Sequence, residues 1–187
     1  MLIWLNHPIA GTQRFLLLDR DGVLNENRPD YVKNIQEYRF YADSLQALSL
    51  LHKNHVAVIL VSNQSGINRG FINRTDFWGM HDGMLRGVEE SGGNILAAFY
   101  CPHRPDENCS CRKPAPAMIL AAGRLFGIPL GETFFIGDHD TDMEAARRAG
   151  CKGIRICRNG ETDTCGSAER AYFGLLDAVL DLYGGDI

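Results

Sequence analysis

No stretch of this 187-residue sequence is apolar for long enough to span a bilayer, which takes about 20 residues. The opening MLIWLNHPIAGTQRF has no basic leader and is interrupted by His7, Pro8 and Gly11, so it does not read as a secretion signal. Positive charge is scarce: 19 Lys and Arg stand against 23 Asp and Glu, for a formal charge of −4. That balance excludes an extended nucleic-acid groove as the main working surface. Repeats, low-complexity tracts and Gly/Ser linkers are missing as well. Together the absences lead to the expectation of a cytoplasmic monomer, one domain over 1–187, with no nucleic-acid or membrane partner.

Cysteine is sparse and unevenly placed. Three of the six crowd with a histidine into CPHRPDENCSC, while Cys151, Cys157 and Cys165 lie apart. The isolated three read as ordinary free thiols of a reducing compartment, the first two in the core.

What the chain has is alternation. Short apolar runs recur at FLLLD, VAVILVSN, ILAAFY, TFFIGD and GIRIC, and helical spacing falls between and after them at 43–53, 75–91, 116–126, 141–149 and 169–183. Runs such as FLLL and VAVILV are apolar at every position, as strands buried on both faces must be. The pattern predicts an α/β fold, a doubly wound three-layer parallel sheet with no large cap domain. Ligands in that architecture collect at the carboxyl ends of the strands. Four predicted strand ends carry polar groups there: Asp19 with Asp21, Ser62 with Asn63, Cys101 with His103, and Asp138.

In LLLDRDGVLN two acids stand one residue apart where a strand stops, and strand alternation would point Asp19 and Asp21 the same way. GDHDTD adds Asp138 at a strand end and Asp142 about one helical turn later. A set of hard carboxylate oxygens suits magnesium. Each motif alone also reads as an Asx turn or a helix N-cap; it is their joint occurrence at strand ends that points to a site. His139 and Asp140 read as solvated loop residues, and the tail beyond Ile156 carries no expected chemistry.

Cys101, His103, Cys109 and Cys111 offer three thiols and an imidazole within eleven residues. This is a soft tetrahedral set that suits zinc; a disulfide pair or a redox thiol is the alternative. Four protein ligands would leave no open position, so the metal would staple the loop 101–111.

DRDGVLN, LVSNQSG, CRKP and GDHDTD resemble the four ordered motifs of the haloacid-dehalogenase superfamily. NQSGINRG and CPHRPDENCSCRKP resemble its branch of heptose-bisphosphate and histidinol phosphatases, with no break from Phe15 to about Cys157. The resemblance implies a Rossmann-like phosphatase whose Asp19 attacks phosphorus to form an aspartyl-phosphate, with Asp21 as general acid and then base. It implies magnesium on Asp19, the Asp21 carbonyl and Asp138, with Asp142 behind them. Ser62 and Asn63 would donate to phosphoryl oxygens, and Lys113 would hold the transferring phosphate.

Substrate contacts are implied for Arg112, which follows the last cysteine, and for the flap NENRPDY through Asn27, Asp30 and Tyr31. The motif NQSGINRG supplies Gln64, Ser65 and Arg69; Arg28 is a further cation near the flap. The substrate implied is a small phosphorylated sugar, the C7 phosphate of a heptose 1,7-bisphosphate in nucleotide-activated heptose synthesis. Histidinol phosphate is the rival substrate, and a zinc-containing, non-catalytic phosphometabolite-binding module is the rival of another class.

Overall fold

The structure, a computed structural model, describes residues 1–6, 14–158 and 170–184. Its seven strands are β1 (Leu2–Leu5), β2 (Arg14–Leu18), β3 (Val56–Asn63), β4 (Ala97–Cys101), β5 (Phe134–Gly137), β6 (Lys152–Ile156) and β7 (Ala171–Tyr172). The helices are α1 (Ala42–Lys53), α2 (Arg74–Glu90), α3 (Ala117–Phe126), α4 (Asp140–Ala149) and α5 (Leu175–Tyr183). The strands form one sheet in the order β1-β4-β3-β2-β5-β6-β7.

All neighbouring strands are parallel except β1, which runs antiparallel to β4. The sheet is therefore mixed at one edge, where a wholly parallel one was expected. Successive connections wind from β2 through β3 to β4, and then restart at β5 on the other side of β2. The switch point of the topology lies between β2 and β5, so the residues just past Leu18 and Gly137 flank one crevice.

Burial on both faces explains the unbroken apolar runs. Along β3, Val58 and Leu60 join the layer with α1, α2 and α5, while Ala57, Ile59 and Val61 face the layer with α3 and α4. Burying one such valine, isoleucine or leucine contributes about 1.5–3 kcal/mol, and a polar residue at any of these positions would meet a helix.

Local signals set the helix ends. The Asn73 side chain accepts the Asp76 amide at 2.8 Å and starts α2, whose Phe77, Met80, His81, Met84 and Val88 form the buried stripe. Gly150, at φ +79°, ends α4 in the left-handed conformation that a glycine adopts without strain.

The last helix begins later than expected. Residues 171 and 172 of the predicted 169–183 helix pair with β6 instead, because Tyr172 finds a place at the sheet edge and Gly174 interrupts the helical run. Residue 169 lies outside the described residues.

Cys151 is a free, buried thiol, as expected. Cys157 is not: it is disulfide-bonded, and it sits only half-buried where the chain leaves the sheet after β6, so the core does not seal it. Cys165 lies outside the described residues. Among the described residues no helix is long and apolar enough to cross a membrane.

Candidate active site

The chain turns sharply after β2. Leu24 and Val23 donate to the Arg20 carbonyl at 2.8 and 3.3 Å, and Gly22 donates to that of Asn25 at 2.8 Å. Gly22 adopts φ +79°, and a β-carbon on it would lie 1.9 Å from Asp138 Oδ2. Only glycine lets the loop from β2 and the end of β5 come this close.

At the floor of the crevice Lys113 is 3% exposed. Its Nζ lies 3.0 Å from Asp19 Oδ2 and 2.6 Å from Asp142 Oδ1, and donates to the Val61 carbonyl at 2.9 Å. Asp142 Oδ2 accepts the His139 amide at 3.1 Å, so both its oxygens are engaged. One side chain thereby caps α4 and holds the lysine. Carboxylate oxygens of Asp19, Asp138 and Asp142 lie within 4.8 Å of one another, a hard donor set that fits a magnesium-type cation.

Asp21 lines the same cavity as Asp19, and its carboxylate is held in a clamp: Arg20 Nη2 donates to both oxygens at 2.9 Å, Asn25 Nδ2 to Oδ1 at 2.9 Å and Gln64 Nε2 to Oδ2 at 2.7 Å. Strand alternation does not govern it, because β2 ends at Leu18 and Asp21 belongs to the turn. Burial is the largest influence on the Asp21 pKa and works to raise it, but the Arg20 guanidinium and the hydrogen bonds from Asn25, Gln64 and Arg20 together outweigh it and hold the carboxyl below its ordinary value.

Asp19 and Asp138 behave oppositely. Burial pushes Asp19 up to about 6 against the pull of Lys113, with Asp142 and Asp21 adding to the rise. Burial, then Asp19 and Asp142, push Asp138 up to about 7. In the metal-free protein these two contribute stability that is full below the ordinary carboxylate value and lost as pH rises through about 6 to 7. His81, held neutral by burial down to about 4, acts in the reverse sense between that value and its ordinary 6.5.

Protons and a cation compete for Asp19 and Asp138, so metal affinity is expected to fall on the order of 10²-fold from pH 7.5 to 5.5. The rise in melting temperature on adding magnesium should be full at pH 7.5 and nearly gone at pH 5.5. An equal rise at both pH values would sink this account.

These residues border a cavity of about 490 Å³ lined also by Asn27, Arg28, Tyr31, Arg112, His139 and Thr141. Ser62 closes its inner wall at 1% exposure, its Oγ accepting from Gln64 Nε2 at 3.1 Å. Asn63 exchanges side-chain hydrogen bonds with the Lys113 backbone at 3.0 and 3.2 Å, fixing that loop.

The expected substrate contacts separate on inspection. Asn27, Tyr31 and Arg112 face the cavity, as does Arg28. Gln64 lines it too, but donates to Asp21 and Ser62 and accepts from Arg20. Ser65 is buried beneath Tyr31, whose hydroxyl lies 3.3 Å away. Asp30 is an exposed partner of Arg28 and Lys33, and Arg69 is exposed on a turn; neither is in the cavity wall.

Arg20 and Asn25 went unnoticed in the sequence, although an arginine between two acids in DRDG was a signal for an ion pair. His139, taken as a loop residue, caps α4: its Nδ1 accepts the Thr141 amide at 3.3 Å, and the residue borders the cavity.

Beyond β4 the four soft groups converge. Cys111 Sγ lies 3.3 Å from both Cys101 Sγ and His103 Nδ1, and Cys109 Sγ is 3.5 and 3.7 Å from the other two sulfurs. A tetrahedron with metal–sulfur bonds of about 2.3 Å has edges of about 3.8 Å, so the cluster fits zinc with small adjustment. Arg112 Nη1 donates to the His103 carbonyl at 3.2 Å, tying the cavity wall to the cluster.

A family model described as "HAD-hyrolase-like" matches residues 110–181. The chain is 37% identical over 145 residues to D-glycero-beta-D-manno-heptose-1,7-bisphosphate 7-phosphatase of Pseudomonas aeruginosa, covering 78% of this chain and 82% of the relative. It is 38% identical to the enzyme of the same name from Bordetella bronchiseptica over 138 residues, 74% of this chain and 77% of that one. The crystal structure of D,D-heptose 1,7-bisphosphate phosphatase from B. bronchiseptica, complexed with magnesium and phosphate, superposes with a TM-score of 0.88 at 32% identity. It covers 92% of this chain and 99% of that one.

Proposed function

The chain belongs to the haloacid-dehalogenase-like phosphatases, among the heptose-1,7-bisphosphate 7-phosphatases, and from that premise we propose that it hydrolyses the C7 phosphate of D-glycero-D-manno-heptose 1,7-bisphosphate in nucleotide-activated heptose synthesis. The observation that carries the reading is Lys113, buried between Asp19 and Asp142 under a cavity whose wall offers Arg28, Arg112, Asn27 and Tyr31. Lysine beside a carboxylate nucleophile neutralises the approach of two anions, and the outer arginines suit the second phosphate.

In this reading an Asp19 oxygen attacks phosphorus, the bond from phosphorus to the C7 oxygen breaks, and the departing alkoxide takes a proton from Asp21. Water then attacks the aspartyl-phosphate, gives its proton to Asp21 and releases Asp19. Lys113 and the Ser62 hydroxyl hold the phosphoryl oxygens throughout. The grip of Arg20, Asn25 and Gln64 orients Asp21 and favours the ionised form that it takes on giving up its proton to the alkoxide, the form that the water step then requires.

Asp19, Asp138 and the Asp21 carbonyl are the groups that would hold magnesium, which when bound supplies positive charge beside the transferring phosphate. Asp142 acts through Lys113. The four groups of the 101–111 loop would hold zinc as a closed site, stiffening the backbone from which Arg112 and Lys113 follow directly.

The relatives are named for the β anomer, and the same preference is proposed here. Phosphate release with magnesium from the β and α bisphosphates and from histidinol phosphate tests it. The expected result is a kcat/KM for the β bisphosphate at least about 10²-fold above that for histidinol phosphate. Faster turnover of histidinol phosphate would overturn the substrate and leave the chemistry standing.

A further inference from the structure

Arg158, just past β6 in the tail for which the sequence predicts no chemistry, reaches back to the loop that follows β2. Its Nε donates to the Gly22 carbonyl at 3.3 Å and its Nη2 to the Val23 carbonyl at 2.8 Å. Nη2 also lies 2.8 Å from Ser44 Oγ, which itself donates to the Val23 carbonyl at 2.6 Å. Nη1 pairs with Asp43 Oδ1 at 2.8 Å, and the guanidinium stacks 3.6 Å over the Tyr41 ring. Asp43 in turn caps α5 by accepting the Leu175 amide at 2.8 Å.

Four of the five N–H groups of this guanidinium are spent on Gly22, Val23, Ser44 and Asp43, so its main engagement is with the loop and not with the neighbouring cavity of about 710 Å³ that it helps to line. What it fixes is the backbone of Gly22 and Val23. Gly22 is the point at which the loop touches the Asp138 carboxylate, and the peptide joining it to Asp21 carries the carbonyl assigned above to the cation. The inner side of the loop is already held by the Arg20, Asn25 and Gln64 clamp on Asp21. Arg158 holds the outer side, from a strand on the far flank of β5.

We infer that Arg158 is a positioning residue for the metal site: by gripping the Gly22 and Val23 carbonyls it sets the spacing between the Asp21 carbonyl and Asp138. The inference rests on the metal ligands proposed above. It also has a distinctive sign. Removing a nearby cation would by charge alone tighten the binding of a divalent ion, whereas losing a positioning contact weakens it.

The test is Mn²⁺ binding to the purified full chain, followed by electron paramagnetic resonance, for the parent, Asp138→Asn, Arg158→Lys and Arg158→Gln, with melting curves alongside. The parent should bind and Asp138→Asn should not; failure there refutes the ligand assignment itself. Both Arg158 variants should bind about 10-fold or more weakly. The magnesium needed for half-maximal rate should rise in proportion, with kcat at saturating magnesium within about twofold of the parent's. Parent-like or tighter Mn²⁺ binding in folded Arg158 variants would overturn the inference whatever their melting temperatures. Should neither variant fold, Ser44→Ala decides: about 3-fold weaker binding supports positioning, and unchanged binding rejects it.

Discussion

Replacing Asp19 with asparagine is expected to lower phosphate release by about 10⁴-fold or more while the metal-free protein melts roughly 2–6 °C higher at pH 7.5. The two effects have one origin. Asp19 is 8% exposed, and its carboxylate is charged at that pH only against burial and against Asp142 and Asp21. Its favourable contact with Lys113 does not cancel this, since the pKa stays raised. Asparagine fits the same space without the charge, and Lys113 keeps Asp142 at 2.6 Å. The amide cannot form the aspartyl-phosphate, however, so chemistry stops. Single-turnover assays with melting in a chelator would check both halves. Residual hydrolysis within 100-fold of the parent would remove Asp19 from the nucleophile's role.

Lys113→Met should be damaging on both counts. Among the described residues the lysine is the cation that lies within ion-pair distance of both Asp19 and Asp142, and it also satisfies the Val61 carbonyl. Methionine fills the volume but leaves two buried carboxylates facing each other, a loss of about 3–5 kcal/mol. That lowers the melting temperature by roughly 10 °C, and activity falls by about 10³-fold or more for want of the charge that meets the phosphoryl group. Adding Asp142→Asn should return part of the stability and none of the activity, because the two side chains form one unit. A single variant melting within about 2 °C of the parent would show that the pair is not holding the site together.

The parts of this site that were legible in the sequence are those delivered by central strands buried on both faces. FLLL, VAVILV and FFI are apolar at every position, so their ends could be located, and Asp19, Ser62 and Asp138 came with them. The zinc-type cluster was legible from ligand spacing alone. Edge strands were not: β7 has two residues, too short for a period to declare itself, and β1, no shorter than β5, reaches the core only with alternate, half-buried side chains.

Side-chain direction past a strand end was illegible for a different reason. Alternation lapses once the backbone turns, so it could place Asp21 on the side of Asp19 but could not supply its partners Arg20, Asn25 and Gln64. Gln64 read as a substrate contact because NQSGINRG resembles the family motif, and only the fold shows that Asp21 and Ser62 take its amide first. Arg158 had no local signal at all, since its partners are more than 110 positions away.

The position of β2 in the strand order also bears on how the protein is made. β2 lies between β3, whose first residue is Val56, and β5, whose first residue is Phe134. A ribosome adding about 5–20 residues per second leaves one edge of this apolar strand without its partner for several seconds. Through that interval Asp19 lacks Asp138, and for the earlier part of it Lys113 as well, and the nascent chain presents an open β edge to its neighbours. The arrangement that creates the crevice thus also creates the stage of synthesis at which chaperone protection matters most: after the α2 segment has emerged and before the TFFIG segment has.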